Sequence, residues 1–243
     1  MTTIQTYLPK DSWPLVIVNF AMSADGKVST RNWTPSNFGS TEDRRRLQEI
    51  RVRGDAIMVG RRTAEIDSMQ MDISNLALRA RRKAAGKSAE PIRVLISAQG
   101  PLDPKMKVFS EMRAPLIIFT AKAPSTKVHS LLPDTVIIHT LAGALFSVGT
   151  ILRILRCQYH VRTVICEGGP TLMRTLLEMN AVSEINLTIE PIVFGGHSAP
   201  TLSGVPGDFL GRPVHFQIKS VEVTEGTCFV TYERRVKKKR VMP

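Results

Sequence analysis

Short apolar runs alternate with amphipathic or polar stretches along most of this chain. Leu15 to Ala21 is a mostly continuous apolar run, which predicts a strand covered on both faces. Ser40, with Asp43 following it, marks a helix start, and Glu42 and Asp43 suit the positive end of the helix dipole. The predicted helix runs from Thr41 to about Arg53, with Leu47, Ile50 and Val52 on its buried side. Asp55 to Val59 reads as a strand ending at Gly60. Further short, β-branched runs follow at Ile92 to Ile96, Leu116 to Phe119, Val136 to Ile138 and Val161 to Cys166. Val148, Ile151, Leu152 and Leu155 have helical spacing, and Pro170 opens another helix whose Leu172, Leu176 and Met179 share a face.

The end of the chain has a different rhythm. Glu184 to Ile192 predicts a strand, and Gly195 to Gly211 a long Gly/Pro loop. Val214 to Val223 and Thr227 to Tyr232, joined through Thr224-Glu225-Gly226, predict a hairpin. The expected fold is therefore α/β, a mostly parallel sheet flanked by helices with antiparallel C-terminal strands. No internal repeat or linker divides it, so residues 1–235 form one expected domain and 236–243 a basic tail.

Composition narrows the class. With 43% hydrophobic residues in 243, the chain can bury a sizeable core, which excludes global disorder and a disulfide-stapled miniprotein. No apolar run approaches the ~20 residues of a membrane span. The N-terminal residues lack the basic-then-apolar order of a secretory signal, so a cytoplasmic protein is expected. Cys157, Cys166 and Cys228 form no CxxC pair, which predicts buried inert thiols and no bound metal.

The net charge of +12 first suggests a polyanion partner. Half of it lies in Arg234, Arg235, Lys237, Lys238, Lys239 and Arg240, and a second cluster comprises Arg79, Arg81, Arg82, Lys83 and Lys87. Nucleic-acid binding calls for such patches interleaved with aromatics or a reading motif. Aromatics are only 6%, so the expectation is a basic surface suited to phosphorylated small molecules.

Several familiar signatures fail. Gly86-Lys87-Ser88 ends like a phosphate loop, but Arg81 stands where its first glycine belongs. No G-x-G-x-x-G disfavours a Rossmann fold, and no H-x-E with a later C-x-x-C removes a zinc deaminase. What remains are polar or glycine-rich turns just past predicted strand ends, where open α/β sheets bind ligands. They are Ser23-Ala24-Asp25-Gly26-Lys27, Gly60-Arg61-Arg62-Thr63 with Asp67, Ser97-Ala98-Gln99-Gly100, and Glu167-Gly168-Gly169-Pro170-Thr171. Gly168 and Gly169 let a pyrophosphate approach the backbone, and the helix opening near Pro170 offers amides and a positive dipole. Arg61, Arg62, Thr63 and Ser97 can meet further phosphate oxygens, including an adenosine 2′-phosphate.

The order A-M-S-A-D-G-K, D-A-I-M-V-G-x-x-T-x-x-x-D, R-V-L-I-S, V-I-C-E-G-G-P-T-L and I-E-P-I-V-F-G-G resembles the reductase domain of the riboflavin-biosynthesis deaminase–reductase and its stand-alone pyrimidine reductase relatives. The likeness runs from about Leu15 to Tyr232. It implies a dihydrofolate-reductase-like fold, a homodimer, NADPH as cofactor, and reduction of a phosphorylated ribosylamino-pyrimidine to its ribitylamino form. By that resemblance Thr63, Asp67 and Ser97 contact the cofactor, and Gly169, Pro170, Thr171, Leu172, Met173, Arg174 and Thr175 form its phosphate-binding helix start. Met22 and Phe38 would flank the cofactor, and Ser36, Arg51, Met71 and Glu167 would serve the pyrimidine substrate. One position departs: Ser74 stands where the family carries an arginine that helps hold the substrate phosphate.

The resulting expectation is hydride transfer from nicotinamide to C1′ of a ring-opened ribosylimine. Glu167 is the first candidate for orienting or protonating the sugar, and Asp25 the second, with a turn-forming role open to it. A reductase of another small heterocycle such as a dihydropterin, and a non-enzymatic polyanion-binding protein, are the alternatives.

Overall fold

A computed structural model describes residues 13–29, 39–98, 102–110, 113–204 and 210–235. Its strands are β1 (Leu15–Ser23), β2 (Ala56–Gly60), β3 (Ile92–Ser97), β4 (Leu116–Thr120), β5 (Val136–Thr140), β6 (Thr163–Cys166), β7 (Val182–Glu190), β8 (Phe216–Thr224) and β9 (Thr227–Arg234). The helices are α1 (Thr41–Arg53), α2 (Arg61–Ile66), α3 (Leu76–Ala84), α4 (Thr126–His129), α5 (Val148–Gln158) and α6 (Pro170–Glu178). The strands form one sheet in the order β5-β4-β3-β2-β6-β1-β7-β9-β8. The first seven in sequence pair in parallel, while β9 runs antiparallel to both β7 and β8. The mostly parallel sheet with an antiparallel C-terminal ribbon is thus as expected.

Alternating side chains divide the core between the two faces of the sheet. Ala56 and Met58 join Val16, Val18, Val164 and the apolar stripes of α5 and α6 in one cluster. Ile57 and Val59 join Leu95, Ile118 and Ala64 of α2 in the other. Both faces being covered explains why β2 reads as an unbroken apolar run. Ser40 caps α1 by accepting from the Asp43 amide, as the sequence predicts. The β8–β9 turn places Glu225 at φ 52° and Gly226 at φ 82°, the left-handed pair that a tight hairpin requires.

Three expectations need correction. The Gly60-Arg61-Arg62-Thr63 segment is no turn: α2 starts directly at the end of β2. The basic stretch around Arg79 is a helix, α3, capped by Asn75 and fastened inward by its arginines. Arg82 is 1% exposed and donates to the carbonyls of Val52, Gly54 and Ser88, while Arg79 pairs with Glu90 and Arg81 with Glu49. These contacts clamp α3 to α1 and its neighbours, with Arg81 and Lys83 left exposed. Of the cysteines, Cys166 is buried, and desolvation pushes its thiol up to about 12, but Cys157 is exposed. The basic tail, 236–243, lies outside the described residues.

Candidate functional site

The sheet order places the site. After β5 the chain returns to insert β6 between β2 and β1, so the segments leaving β2 and β6 part around a crevice at the carboxyl ends of the parallel strands. There the Gly60 amide donates to the Gly168 carbonyl at 3.0 Å. Gly168 has φ +112°, a conformation side-chain-bearing residues avoid, and a cis peptide joins it to Gly169. A Cβ on Gly169 would stand 2.3 Å from Thr63 Oγ1, so only glycine admits that hydroxyl against the opening of α6. Gly169 caps α6 without a side-chain hydrogen bond, leaving the first-turn amides free of a side-chain acceptor. Beside β2, at the end of β3, Ser97 is 2% exposed and its Oγ has no partner among the described residues. A glycine-walled cradle at a helix start and an orphaned buried hydroxyl fit the diphosphate and ribose of a nicotinamide dinucleotide.

A cavity of about 400 Å³ opens next to this cradle, with Asp43, Arg44, Arg51, Thr63, Asp67 and Glu167 on its wall. Its wall carries a two-pronged ion pair: Arg51 Nε and Nη2 donate to the two oxygens of Glu167, each at 2.7 Å. The Arg51 and Glu167 side chains are only 8% and 4% exposed. Arg51 Nη1 also donates to the Asp72 carbonyl at 2.6 Å. Burial works against the Arg51 charge, but the Glu167 carboxylate, with Asp72 and Glu90 adding to it, outweighs that and raises the Arg51 pKa.

The structure brings Thr63, Asp67, Arg51, Glu167, Gly169 and Pro170 together on the cavity wall. Gly60 and Gly168 are hydrogen-bonded to each other and are not on that wall. Other expected residues stand differently. Arg61 pairs with Glu65 at 2.6 Å on the surface, and Arg62 is exposed. Leu172 and Met173 turn their side chains into the core, so α6 offers only their backbone. Arg174 pairs with Glu178, the Thr175 hydroxyl donates to the Thr171 carbonyl, and the Thr171 side chain is exposed. Met22 packs against the main core, off the cavity wall. Met71 is 1% exposed within the second core, so its side chain does not reach the cavity. Ser36 and Phe38 lie outside the described residues.

Asp25 has a structural task. It accepts from Ser23 Oγ at 2.5 Å and from the amides of Phe194 and Gly195, tying the turn after β1 to the loop after β7. The Ser23 hydroxyl, helped by those amides, lowers its pKa, and Asp25 is not on the cavity wall. This favours the turn-forming role over the acid. Sequence reasoning missed Asp43 as a cavity residue, because it registers only as a helix-start charge. It missed the cavity-lining Arg44 altogether.

A 2,5-diamino-6-ribosylamino-4(3H)-pyrimidinone 5′-phosphate reductase of Archaeoglobus fulgidus is 29% identical over 78% of this chain and 85% of its own length. Among solved structures, a pyrimidine reductase-like protein of Corynebacterium diphtheriae superposes with a TM-score of 0.75 at 20% identity, covering 96% of this chain and 97% of its own. RibD of Acinetobacter baumannii gives a TM-score of 0.75 at 19% identity over 92% of this chain, which spans 58% of that longer protein. Residues 14–229 match the model of the RibD C-terminal domain, and this chain belongs to that family.

Proposed function

We propose that this oxidoreductase of the pyrimidine-reductase type uses NADPH to reduce the ribosyl group of a phosphorylated ribosylamino-pyrimidine to a ribityl group. The observation that carries the reading is the junction of two sites. The cradle of Gly168, Gly169, Thr63 and Ser97 meets a cavity whose wall holds the Arg51–Glu167 ion pair. The archaeal relative's name supplies the substrate class.

When bound, the cofactor supplies a hydride to C1′ of the opened sugar. The chain's own residues hold the two partners and keep out water. In this reading the first-turn amides of α6 and the Thr63 hydroxyl take the diphosphate, and the buried Ser97 hydroxyl the adenosine end. The exposed Arg61–Glu65 pair contributes little to stability, so Arg61 can exchange its partner for a 2′-phosphate. Glu167 presents an anionic edge to the substrate. With both oxygens bound to Arg51 it orients the sugar or the pyrimidine and is not the proton donor. Arg79, Arg81 and Arg82 are committed elsewhere and do not replace the arginine missing at Ser74. Arg44, exposed at the cavity wall and bonded only to Gly39 and Thr41 in the described hydrogen bonds, is the cation placed for the substrate phosphate.

We also take the protein to act in the cytoplasm as a homodimer. The exposed Ile218, Val221 and Val223 on the edge strand β8 support the second point, because such an edge is normally covered. No described helix is long and apolar enough to cross a membrane. The test of the proposal is NADPH oxidation with a panel of phosphorylated ribosylamino-pyrimidines. Consumption dependent on the pyrimidine supports it, and oxidation with a dihydropterin alone would replace it with the alternative substrate.

A further inference from the structure

The proposed reaction needs an acid, because the sugar must open before C1′ can accept a hydride. Glu167 is unsuited to this, having both oxygens engaged by Arg51. Asp25 is spent on the loop after β7. The cavity wall carries two other carboxylates, Asp67 and Asp43. Asp67 sits at the end of α2 on the cofactor side, next to Thr63.

Asp43 is different. It lies in the first turn of α1, and its Oδ1 accepts from Thr188 Oγ1 on β7 at 2.6 Å. Among the described residues its Oδ2 accepts no hydrogen bond. A Cβ on Gly39 would come 2.5 Å from that oxygen, so the carboxylate can pack there only because residue 39 is glycine. Among the described residues no cation bonds to Asp43: Arg44 reaches back to Gly39 and Thr41, and Arg46 pairs with Glu222. From β7 it faces another carboxylate, Glu190, which is itself fixed by the Ser40 amide and the Thr227 hydroxyl.

We propose that Asp43 is the general acid that opens the ribose ring of the substrate. This rests on the reductase reading above. In the step, the C1′–O4′ bond breaks and its electron pair goes to O4′, which takes the proton from Asp43 Oδ2. The exocyclic nitrogen contributes its lone pair to form a C1′=N⁺ iminium. Hydride addition at C1′ then gives the neutral secondary amine, with C1′ reduced and nicotinamide oxidised, and water returns a proton to Asp43. Burial raises the Asp43 pKa and Glu190 adds to it, whereas the Thr188 hydroxyl, Arg44 and Arg46 pull the other way without prevailing.

The experiment measures kcat, KM and NADPH affinity across pH for wild type, Asp43→Asn and Thr188→Val, with 2,5-diamino-6-ribosylamino-4(3H)-pyrimidinone 5′-phosphate as substrate. Asp43→Asn is expected to lower kcat on the order of 100-fold or more and to abolish the alkaline limb of its pH profile. KM and NADPH binding should stay near wild type. Thr188→Val removes a donor to the carboxylate and should move the alkaline limb up by about one pH unit. A kcat for Asp43→Asn within a few-fold of wild type, or an unmoved limb in Thr188→Val, would overturn the assignment. Loss of NADPH binding by Asp43→Asn would make Asp43 a structural residue and overturn it as well. A wild type that leaves this substrate unreduced would instead sink the reductase reading, and the acid with it.

Discussion

Arg51 and Glu167 are 116 residues apart in sequence and meet through two hydrogen bonds of 2.7 Å, almost completely out of water. The pair joins α1 to the segment after β6, so it fixes one wall of the cavity to the other. Removing one member of such a pair leaves an uncompensated charge in low dielectric. Arg51→Met should therefore destabilise the protein by about 3–5 kcal/mol, and Arg51→Met/Glu167→Leu should recover much of that loss. Denaturant melts of both variants and the wild type check this. Activity should fall in both.

Ser97 separates stability from binding. Its buried Oγ has no partner among the described residues, so the hydroxyl adds nothing to their hydrogen bonding. Ser97→Ala should leave the cofactor-free melting temperature unchanged or slightly raised, yet weaken NADPH binding about tenfold. Calorimetric titration beside a melting curve tests both halves at once.

The substrate phosphate should respond to two positions. Ser74 is exposed, and its amide donates to Gln48 Oε1, so an arginine there has room to extend. Ser74→Arg should raise kcat/KM on the phosphorylated substrate and leave NADPH affinity alone. Arg44→Ala should raise KM for that substrate about tenfold, the loss of one charge-assisted contact. The dephosphorylated substrate should notice neither change. Steady-state kinetics with the two substrates decides.

Acid should loosen the contacts of β7 with α1 and β8 through Glu184. Burial pushes its pKa up, but Arg53 at 2.7 Å, Asn186 at 3.0 Å and Lys219 at 3.3 Å together bring it below the ordinary glutamate value. A depressed folded pKa stabilises above the unfolded value, and that contribution disappears as pH falls through the folded one. The melting-temperature gap between wild type and Glu184→Gln should be full near neutrality and close below about pH 4. A gap independent of pH would show that Glu184 acts through packing alone.

The elements legible in the sequence are those whose signals are local. The Ser40 cap and its helix, the unbroken apolar run of β2, and the Glu225-Gly226 turn each carry their cause within a few residues. Where the cause is distant, reading fails. The α3 arginines look like a polyanion surface until Gly54, Glu49 and Glu90 appear beside them. Leu47 and Val52 were expected on the buried side of α1 with Ile50, yet Arg51 is the more deeply buried neighbour because Glu167 awaits it. The cradle glycines and Thr63 were legible as strand-end chemistry. Asp43 was not, since Thr188 lies 145 residues away and Glu190 beyond it.

The most direct test of the account follows the hydride itself. The enzyme is supplied with NADPH deuterated at the transferable C4 position and with the phosphorylated ribosylamino-pyrimidine, and the product is examined by mass spectrometry and NMR. The product should be a ribityl compound carrying the deuterium at C1′, formed in step with NADPH loss. NADPH consumption without label at C1′, or an unreduced ribosyl group after complete mixing, would contradict it.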